Sequence, residues 1–359
     1  MAGSVMEFLK KPYVLAGLAG AVLLALFIAY FGGWLGSRPV LILVKQGDQC
    51  GYIDASGKFV IPAQFAAAEP FLHGSALAAV RIGDKWGFID RNGKVAINPQ
   101  FDDAKPFNSW GLAGVLVAAH WGFVDKNGAY AINPQFDDYF SADTARDGDL
   151  EAVVSGKKWG FVDNSGKFVI NPQFDSLGQF HYGYPALAKV GDKWGFVDNS
   201  GKFVINPQYD EATGFIGDGL AAVRIGNKWG YVDTSGKVVI NPQFDRAASF
   251  SASAHLAAVS IGGKWGFIDK TGKIVVNPQF DDVGTFSADT GLAAAEVGSK
   301  WGVIDKSGKF IVTPQFDDAD APNETGGLTA VKLGGLWGFA DKAGKIVITP
   351  QFSQILSCR

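Results

Sequence analysis

The stretch Gly191–Asp210, GDKWGFVDNSGKFVINPQYD, has a close copy at Gly156–Asp175, GKKWGFVDNSGKFVINPQFD, and another at Gly226–Asp245, GNKWGYVDTSGKVVINPQFD. Self-similarity at a fixed period is the sequence signature of repeat architectures, in which each unit buries its apolar face against the next one. The number and spacing of the copies therefore decide the fold.

Alignment on the Trp-Gly pair places eight units 35 to 38 residues apart, at Trp86, Trp121, Trp159, Trp194, Trp229, Trp265, Trp301 and Trp337. A ninth unit precedes them at Cys50-Gly51, where cysteine stands in place of tryptophan. The array runs from residue 40 to residue 359, so the sequence predicts one domain of nine repeats with no residues left for another domain.

Each repeat contains three apolar segments separated by short turns, as in GLAAVRIG, WGYVD and KVVI around Trp229. Segments joined by two to four residues can pair only as antiparallel neighbours, so each repeat is predicted to be a three- to four-stranded antiparallel sheet. An Asp-x-x-Gly turn, in which Asp binds the turn backbone and Gly adopts a positive φ, follows the second segment. The proline of the Asn-Pro-Gln-Phe motif ends the third strand or places it at a sheet edge.

The aromatic residues recur at fixed positions and predict a core between neighbouring sheets. A single three-stranded sheet cannot bury both faces, so each repeat must stack on the next. Together with the tryptophans, the predicted core includes the motif aromatics Phe65, Phe101, Phe136, Phe174, Tyr209, Phe244, Phe280, Phe316 and Phe352, and a second set at Phe71, Phe107, Phe180, Phe215, Phe250 and Phe286. The fold class is all-β.

Two arrangements of such sheets remain open, a closed propeller-like ring and an open β-superhelix or solenoid. The two cysteines favour the ring, because Cys50 lies in the first repeat and Cys358 at the end of the last. In a ring these repeats are neighbours, and a disulfide between them is predicted, with two unrelated thiols as the alternative. Nine repeats exceed the usual four to eight blades of propellers, which favours the open form.

The N-terminal segment differs from the repeats. Tyr13–Leu35 contains 23 uncharged residues, and about 20 apolar residues span a bilayer as a helix. The run is longer than the apolar core of a cleavable signal peptide, so an uncleaved anchor is expected. Lys10 and Lys11 precede it and Arg38 follows it, which predicts a cytoplasmic segment at residues 1–12 and a periplasmic or extracellular repeat domain.

Composition and motifs disfavour catalysis and nucleic-acid binding. The formal net charge is −3, with 32 Lys and Arg against 35 Asp and Glu, and no basic run marks a nucleic-acid surface. The four histidines share no repeat position and no metal-ligand spacing. We predict no catalytic residues, no metal and no cofactor, and interpret the repeated Asp residues as turn formers.

A repeated lysine follows the turn glycine at Lys58, Lys94, Lys167, Lys202, Lys237, Lys273, Lys309 and Lys345. It is interpreted as a solvated charge, and a ring of such lysines that attracts an anionic partner is the functional alternative. Partner contacts are predicted at irregular aromatic and histidine positions in the loops, where the repeats differ from one another: Trp110, His181, Tyr182 and Tyr184.

The motif KWGFID..GK.VI.PQFD resembles the WG repeat, also called the KWG repeat, of bacterial surface and envelope proteins, over residues 40–359. The resemblance implies a β-repeat binding or scaffolding module and carries no agreed active-site residues. The expected function is a membrane-anchored, non-catalytic platform for an envelope protein or glycan. An inhibitor or immunity-type protein that neutralises a partner enzyme or toxin is the alternative.

Overall fold

The computed structural model describes residues 40–72, 75–108, 110–139, 150–180, 183–288, 290–320, 327–356 and 358. They belong to one compact unit, Val40–Arg359, and form strands and turns. The membrane span predicted at Tyr13–Leu35 lies outside the described residues. Within the residues that are described, no helix has the length and apolarity to cross a membrane.

The chain forms nine four-stranded antiparallel sheets, called blades 1 to 9 here. Blades 1 to 3 contain β1 (Ile42–Gln46), β2 (Gln49–Ile53), β3 (Phe59–Phe65), β4 (Ala67–Ala68), β5 (Leu77–Ile82), β6 (Lys85–Asp90), β7 (Val95–Phe101), β8 (Asp103–Phe107), β9 (Ala113–Val117), β10 (His120–Val124) and β11 (Tyr130–Phe136). Blades 4 to 6 contain β12 (Asp138–Tyr139), β13 (Glu151–Ser155), β14 (Lys158–Val162), β15 (Phe168–Phe174), β16 (Ser176–Leu177), β17 (Ala186–Val190), β18 (Lys193–Val197), β19 (Phe203–Tyr209), β20 (Glu211–Ala212), β21 (Leu220–Ile225), β22 (Lys228–Asp233) and β23 (Val238–Phe244). Blades 7 to 9 contain β24 (Arg246–Ala247), β25 (Ala257–Ile261), β26 (Lys264–Ile268), β27 (Ile274–Phe280), β28 (Asp282–Val283), β29 (Ala293–Val297), β30 (Lys300–Ile304), β31 (Phe310–Phe316), β32 (Asp318–Asp320), β33 (Thr329–Leu333), β34 (Leu336–Ala340) and β35 (Ile346–Phe352), and the last strand is β36 (Gln354–Ile355).

The strands of each blade are called a to d in their order across the sheet, with strand a at one edge and strand d at the other; in blades 2 to 9 this is also the chain order. Blade 6, for example, pairs β20 with β21, β21 with β22, and β22 with β23. Strand d continues through the proline of its motif, because it lies at the sheet edge, where a missing N–H donor leaves no neighbour unpaired. This is the edge alternative that the sequence left open.

The Asp-x-x-Gly segment forms the predicted turn between strands c and d. In blade 6 the N–H of Gly236 donates to the carbonyl of Asp233, the N–H of Asp233 donates to the carbonyl of Lys237, and Gly236 has a φ of 84°. Glycine reaches this conformation without a steric penalty, so the turn chemistry is confirmed.

The glycine of the Trp-Gly pair is required for a different reason, a bulge in strand d. The register between β22 and β23 shifts between Trp229 and Tyr231, across Gly230, and again between Tyr231 and Val232. A Cβ on Gly230 would lie 2.5 Å from the carbonyl oxygen of Ile240 and 2.7 Å from the nitrogen of Pro242. Any larger residue would push the bulged strand away, which explains why glycine follows the tryptophan or cysteine in every repeat.

The ring is closed by the two ends of the chain. β36 pairs with β1 through Val44–Ile355 and Lys45–Gln354, so blade 1 takes strand a from the C-terminus and strands b to d from the N-terminus. The turn Gly57 of blade 1 lies against Ile348 of blade 9. The same glycine-to-aliphatic contact joins all other neighbouring blades: Gly93–Ile61, Gly128–Ile97, Gly166–Ile132, Gly201–Ile170, Gly236–Ile205, Gly272–Ile240, Gly308–Val276 and Gly344–Val312. The fold is a nine-bladed β-propeller, and the open superhelix is excluded.

The core lies between neighbouring blades, as predicted. An aromatic of strand c packs on the second phenylalanine of the next blade, with ring centroids 4.6 Å apart for Phe196–Phe215 and 5.1 Å apart for Tyr231–Phe250. The tryptophans are less uniform than predicted. Trp86 and Trp121 are buried, whereas the other repeat tryptophans are partly exposed.

Candidate functional site

The propeller has two rims with different chemistry. The hairpin rim holds the b–c turns, such as Gly226-Asn227, and the links from strand d to the next strand a. The loop rim holds the c–d turns, such as Asp233–Lys237, and the a–b loops, such as residues 213–219. The a–b loops carry most of the differences among repeats, so the loop rim is the candidate functional surface.

On the hairpin rim, a repeated Lys and Asp join neighbouring blades. In blade 6, Nζ of Lys228 lies 2.5 Å from Oδ1 of Asp245, and Oδ2 of Asp245 accepts the N–H of Gly262 in blade 7 at 2.7 Å. The ion pair recurs at Lys85–Asp102, Lys158–Asp175, Lys193–Asp210, Lys264–Asp281 and Lys300–Asp317. The hydrogen bond from a backbone N–H of the next blade to the aspartate recurs in the pairs Ala118–Asp102, Gly156–Asp137, Gly191–Asp175, Gly226–Asp210, Gly298–Asp281 and Gly334–Asp317.

These contacts favour the ionised carboxylate. The hydrogen bond from Lys228, followed by the backbone N–H of Gly262, lowers the pKa of Asp245 below its usual 3.8. The same direction holds for the pKa of the other ion-paired aspartates, Asp102, Asp175, Asp210, Asp281 and Asp317. The second Asp set of the repeats therefore connects blades, a role that sequence reasoning missed.

On the loop rim, the turn aspartates bind their own backbone. Oδ1 of Asp198 accepts the hydroxyl of Ser200 at 2.6 Å and the N–H groups of Ser200 and Lys202 at 2.9 and 3.0 Å. The Ser200 hydroxyl is the main reason that the pKa of Asp198 is lowered. The carboxylates hold the turns, and the lysine side chains beside them are exposed.

The predicted partner contacts fall in different environments. Trp110 is half-buried, its backbone N–H donates to Oδ1 of Asn108, and its ring packs on the cluster around Leu112 and Trp121. Tyr184 donates its hydroxyl to the carbonyl of Gly217 in the next blade. Both side chains thus support the fold.

As partner contacts, Trp110 and Tyr184 stay predictions. His181 and Tyr182 lie outside the described residues, so the structure does not place them.

Other polar contacts link the loops of neighbouring blades. Nδ1 of His255 in blade 7 lies 2.8 Å from Oδ1 of Asp218 in blade 6, with the histidine side chain 67% exposed and the aspartate 14% exposed. Nζ of Lys306 in blade 8 donates to the carbonyl of Ser253 in blade 7. These contacts fix the a–b loops of blades 6 and 7, so this part of the rim is a preformed surface.

Glu151 is a buried acid that the sequence analysis did not single out. It begins strand b of blade 4 and is 3% exposed, at a position where six other blades have buried alanine: Ala78, Ala113, Ala186, Ala221, Ala257 and Ala293. Burial raises the pKa of its carboxyl to about 8, and the nearby Asn108 side chain opposes this rise. The comparison of repeats contains the signal, since Leu-Glu-Ala-Val replaces Leu-Ala-Ala-Val.

The two cysteines are joined in the structure. Cys50 and Cys358 form a disulfide with their Cα atoms 6.0 Å apart, and both residues are fully buried. Cys50 occupies the place of the repeat tryptophan, opposite Phe65 of strand d. In the residues described, no group of three or more His, Cys, Asp or Glu side chains is placed to hold a metal ion.

Comparison with known proteins gives one family. The family model described as WG containing repeat matches nine segments, at residues 51–86, 86–117, 121–143, 159–194, 194–229, 229–265, 265–301, 301–337 and 337–357. A search of curated proteins gives no significant match.

Several solved structures are similar in fold. One described as the eukaryotic initiation factor has a TM-score of 0.59 at 11% identity, covering 89% of this chain and 97% of its own. Hsv2p of Kluyveromyces lactis has a TM-score of 0.42 at 12% identity, covering 66% of this chain and 91% of its own. AztD from Citrobacter koseri has a TM-score of 0.40 at 14% identity, covering 76% of this chain and 93% of its own. At these identities the first structure supports the propeller fold alone.

Proposed function

This chain belongs to the WG-containing repeat family, and from that premise we propose that it is a non-catalytic binding platform, anchored in a membrane, that engages an acidic envelope protein or glycan through its loop rim. The single observation that carries this proposal is the charge of the c–d turns.

The c–d turns carry more lysines than aspartates on one rim, and the aspartates keep their negative charge, so the excess of positive charge is the difference between the two sets. In the described part of the chain they carry twelve exposed lysines, the eight that follow the turn glycine together with Lys126, Lys270, Lys306 and Lys342. The nine aspartates of the same turns accept hydrogen bonds from their own backbone. A ring of like charges raises the local concentration of an oppositely charged partner and speeds its association.

The case against catalysis is based on how the repeated polar residues are used. One Asp set holds turns and the other connects blades, and each occurs in many equivalent copies. An active site needs one asymmetric constellation of nucleophile, base and stabilising donors. The proposed activity is therefore binding, and departures of single repeats from the pattern would give it specificity.

Anchoring and location are proposed from the sequence before the propeller. The uncharged run Tyr13–Leu35 would cross the membrane once, with residues 1–12 in the cytoplasm and the propeller in the periplasm or outside the cell. Cysteine pairing agrees with this location, because disulfides persist in oxidising compartments.

The test measures binding of the full-length protein to two defined polyanions, poly-L-glutamate as an acidic peptide and polygalacturonate as an acidic glycan. We expect binding of at least one that weakens as salt increases, because exposed charges are screened. The triple variant Lys167→Glu, Lys202→Glu and Lys237→Glu should lose this binding, while Arg at the same three positions should retain it.

The matched control is Lys157→Glu, which makes the same charge change at an exposed b–c turn of the hairpin rim. It should leave binding unchanged. Equal losses from Lys157→Glu and from a single loop-rim variant, Lys202→Glu, would contradict a loop-rim site, as would the absence of binding to both polyanions. Inhibition of a partner enzyme on binding would instead support the inhibitor or immunity role.

A further inference from the structure

The junctions between blades are not equivalent. Seven of them contain the aspartate that accepts an N–H from the next blade, from Asp102 between blades 2 and 3 to Asp317 between blades 8 and 9. The two remaining junctions flank blade 1. They are also the two junctions that depend on the C-terminus of the chain.

Both members of the Lys–Asp pair are replaced at these two junctions. Between blades 1 and 2, Gln49 and Ala66 occupy the positions of the lysine and the aspartate. Between blades 9 and 1 the corresponding residues are Leu336 and Ser353, and the Ser353 hydroxyl makes long hydrogen bonds of 3.3 and 3.4 Å to carbonyls of blade 1. Neither junction contains the Lys–Asp ion pair found at six of the other seven junctions; between blades 3 and 4, His120 takes the place of the lysine and only the aspartate, Asp137, is present.

The C-terminal strap, defined here as residues 353–356 and 358, crosses both junctions. The N–H of Ser353 donates to the carbonyl of Lys45, and the N–H of Leu356 donates to the carbonyl of Leu43; both carbonyls belong to blade 1. Cys358 extends further, and its carbonyl accepts the N–H of Ala68 in blade 2 at 2.8 Å. One short segment thus connects blades 9, 1 and 2.

The disulfide is the strongest attachment of this strap. β36 contributes only two register pairs to β1 among the described residues, whereas the disulfide joins Cys358 covalently to strand c of blade 1. The strap therefore depends on a bond that a reductant can break, while the other junctions depend on ionic and backbone contacts that it leaves intact.

We propose that Cys50–Cys358 is a redox-controlled latch and that its reduction opens the ring at blade 1. A dithiol reductant transfers two electrons and two protons to the disulfide, the S–S bond breaks, Cys50 and Cys358 become thiols, and the dithiol becomes a disulfide. Release of the strap leaves β1 paired with β2 alone and removes the acceptor for the Ala68 N–H. The seven junctions that contain aspartate stay closed.

Hydrogen–deuterium exchange of the full-length protein tests the latch, with and without dithiothreitol. Reduction should raise exchange of the Ser353, Leu356 and Ala68 amides by ~30- to 5,000-fold, the range expected for loss of a native disulfide. The Asp245 and Gly262 amides between blades 6 and 7 should not change. No change at the strap, or an equal rise at all junctions, would overturn the proposal.

Two variants make the test specific. Cys358→Ser should exchange like the reduced protein, and dithiothreitol should have no further effect on it. Installing the missing ionic connections through Gln49→Lys, Ala66→Asp, Leu336→Lys and Ser353→Asp should restore slow exchange in the reduced protein. If this variant opens on reduction as readily as the natural sequence, the absence of the Lys–Asp pair is not what makes blade 1 the opening point, and the proposal is wrong.

Discussion

Tyr139 occupies space that exists because residue 114 is glycine. A Cβ on Gly114 would overlap the hydroxyl and ring carbons of Tyr139. The Tyr139 ring lies 5.0 Å from that of Phe123, where other junctions place the second phenylalanine of the next blade. Between blades 3 and 4, Tyr139 of strand a therefore takes the place of the second phenylalanine, and Gly114 makes room for its ring.

Gly114→Ala should destabilise the protein by about 1–3 kcal/mol, because the added methyl overpacks a filled junction. Chemical denaturation measures the change. Gly214→Ala is the matched control, since nothing lies within 4 Å of a Cβ there, and it should have little effect. In a Tyr139→Ala background the Gly114→Ala change should become nearly neutral. Equal effects in both backgrounds would show that the two residues do not share the space.

The inter-blade aspartates predict a loss of stability in acid. Their pKa values are lowered in the folded protein, as for Asp245, so the stabilisation is fully present above the usual value of 3.8 and is lost as pH falls through the lower folded value. Asp245→Asn should lower the melting temperature at pH 7 and have less effect at about pH 2, which is below the usual value for an aspartate.

The control for this prediction is an exposed aspartate outside the junctions. Asp192→Asn, in a b–c turn, should leave the melting temperature unchanged at both pH values, since its side chain is exposed. An Asp245→Asn effect of the same size at both pH values would mean that shape, rather than charge, is what the carboxylate contributes.

Much of the fold could be predicted from local sequence. The Asp-x-x-Gly turns specify hairpins by themselves, and the positions of Cys50 and Cys358 favoured a ring. The Lys–Asp connection was equally visible, because Lys and Asp disappear together at Gln49 with Ala66 and at Leu336 with Ser353. The backbone N–H that the aspartate accepts from the next blade could not be predicted, because sequence alone does not say which turn of that blade faces the carboxylate.

Other features depend on three-dimensional packing. The need for glycine after tryptophan follows from a bulge in the facing strand, which no local pattern specifies. The a–b loops of the candidate site differ from copy to copy, so repetition gives no rule for their conformation. The contact of His255 with Asp218 is one such case, since neither residue belongs to the repeat pattern.

The tryptophans should contribute unequally to stability. Trp86 is buried, and Trp86→Ala should lower the free energy of unfolding by about 3–5 kcal/mol. Trp194 is partly exposed, with Nζ of Lys189 5.6 Å from its ring centroid, so Trp194→Ala should have a smaller effect. Urea denaturation of both variants measures the difference. A larger loss from Trp194→Ala would contradict the observed burial.

Glu151 should make the protein less stable as pH rises. Its pKa is about 8 in the folded protein against the usual 4.5, so between these values the native state holds a proton that the unfolded chain releases. Raising the pH through this window therefore destabilises the native state. Glu151→Ala restores the residue found in six other blades and should remove this slope, with a gain on the order of a few kcal/mol at pH 8.

The reverse substitution, from alanine to glutamate in another blade, tests whether burial of the carboxyl is enough to cause the pH dependence. Ala186→Glu places the same side chain at the equivalent position of blade 5, which is fully buried. It should introduce a second loss of stability with rising pH, because a carboxylate there must also leave water. Thermal unfolding followed from pH 5 to pH 9 tests both variants. If Glu151→Ala has the pH profile of the natural protein, Glu151 is not the group that titrates between pH 5 and pH 9, and the prediction is wrong.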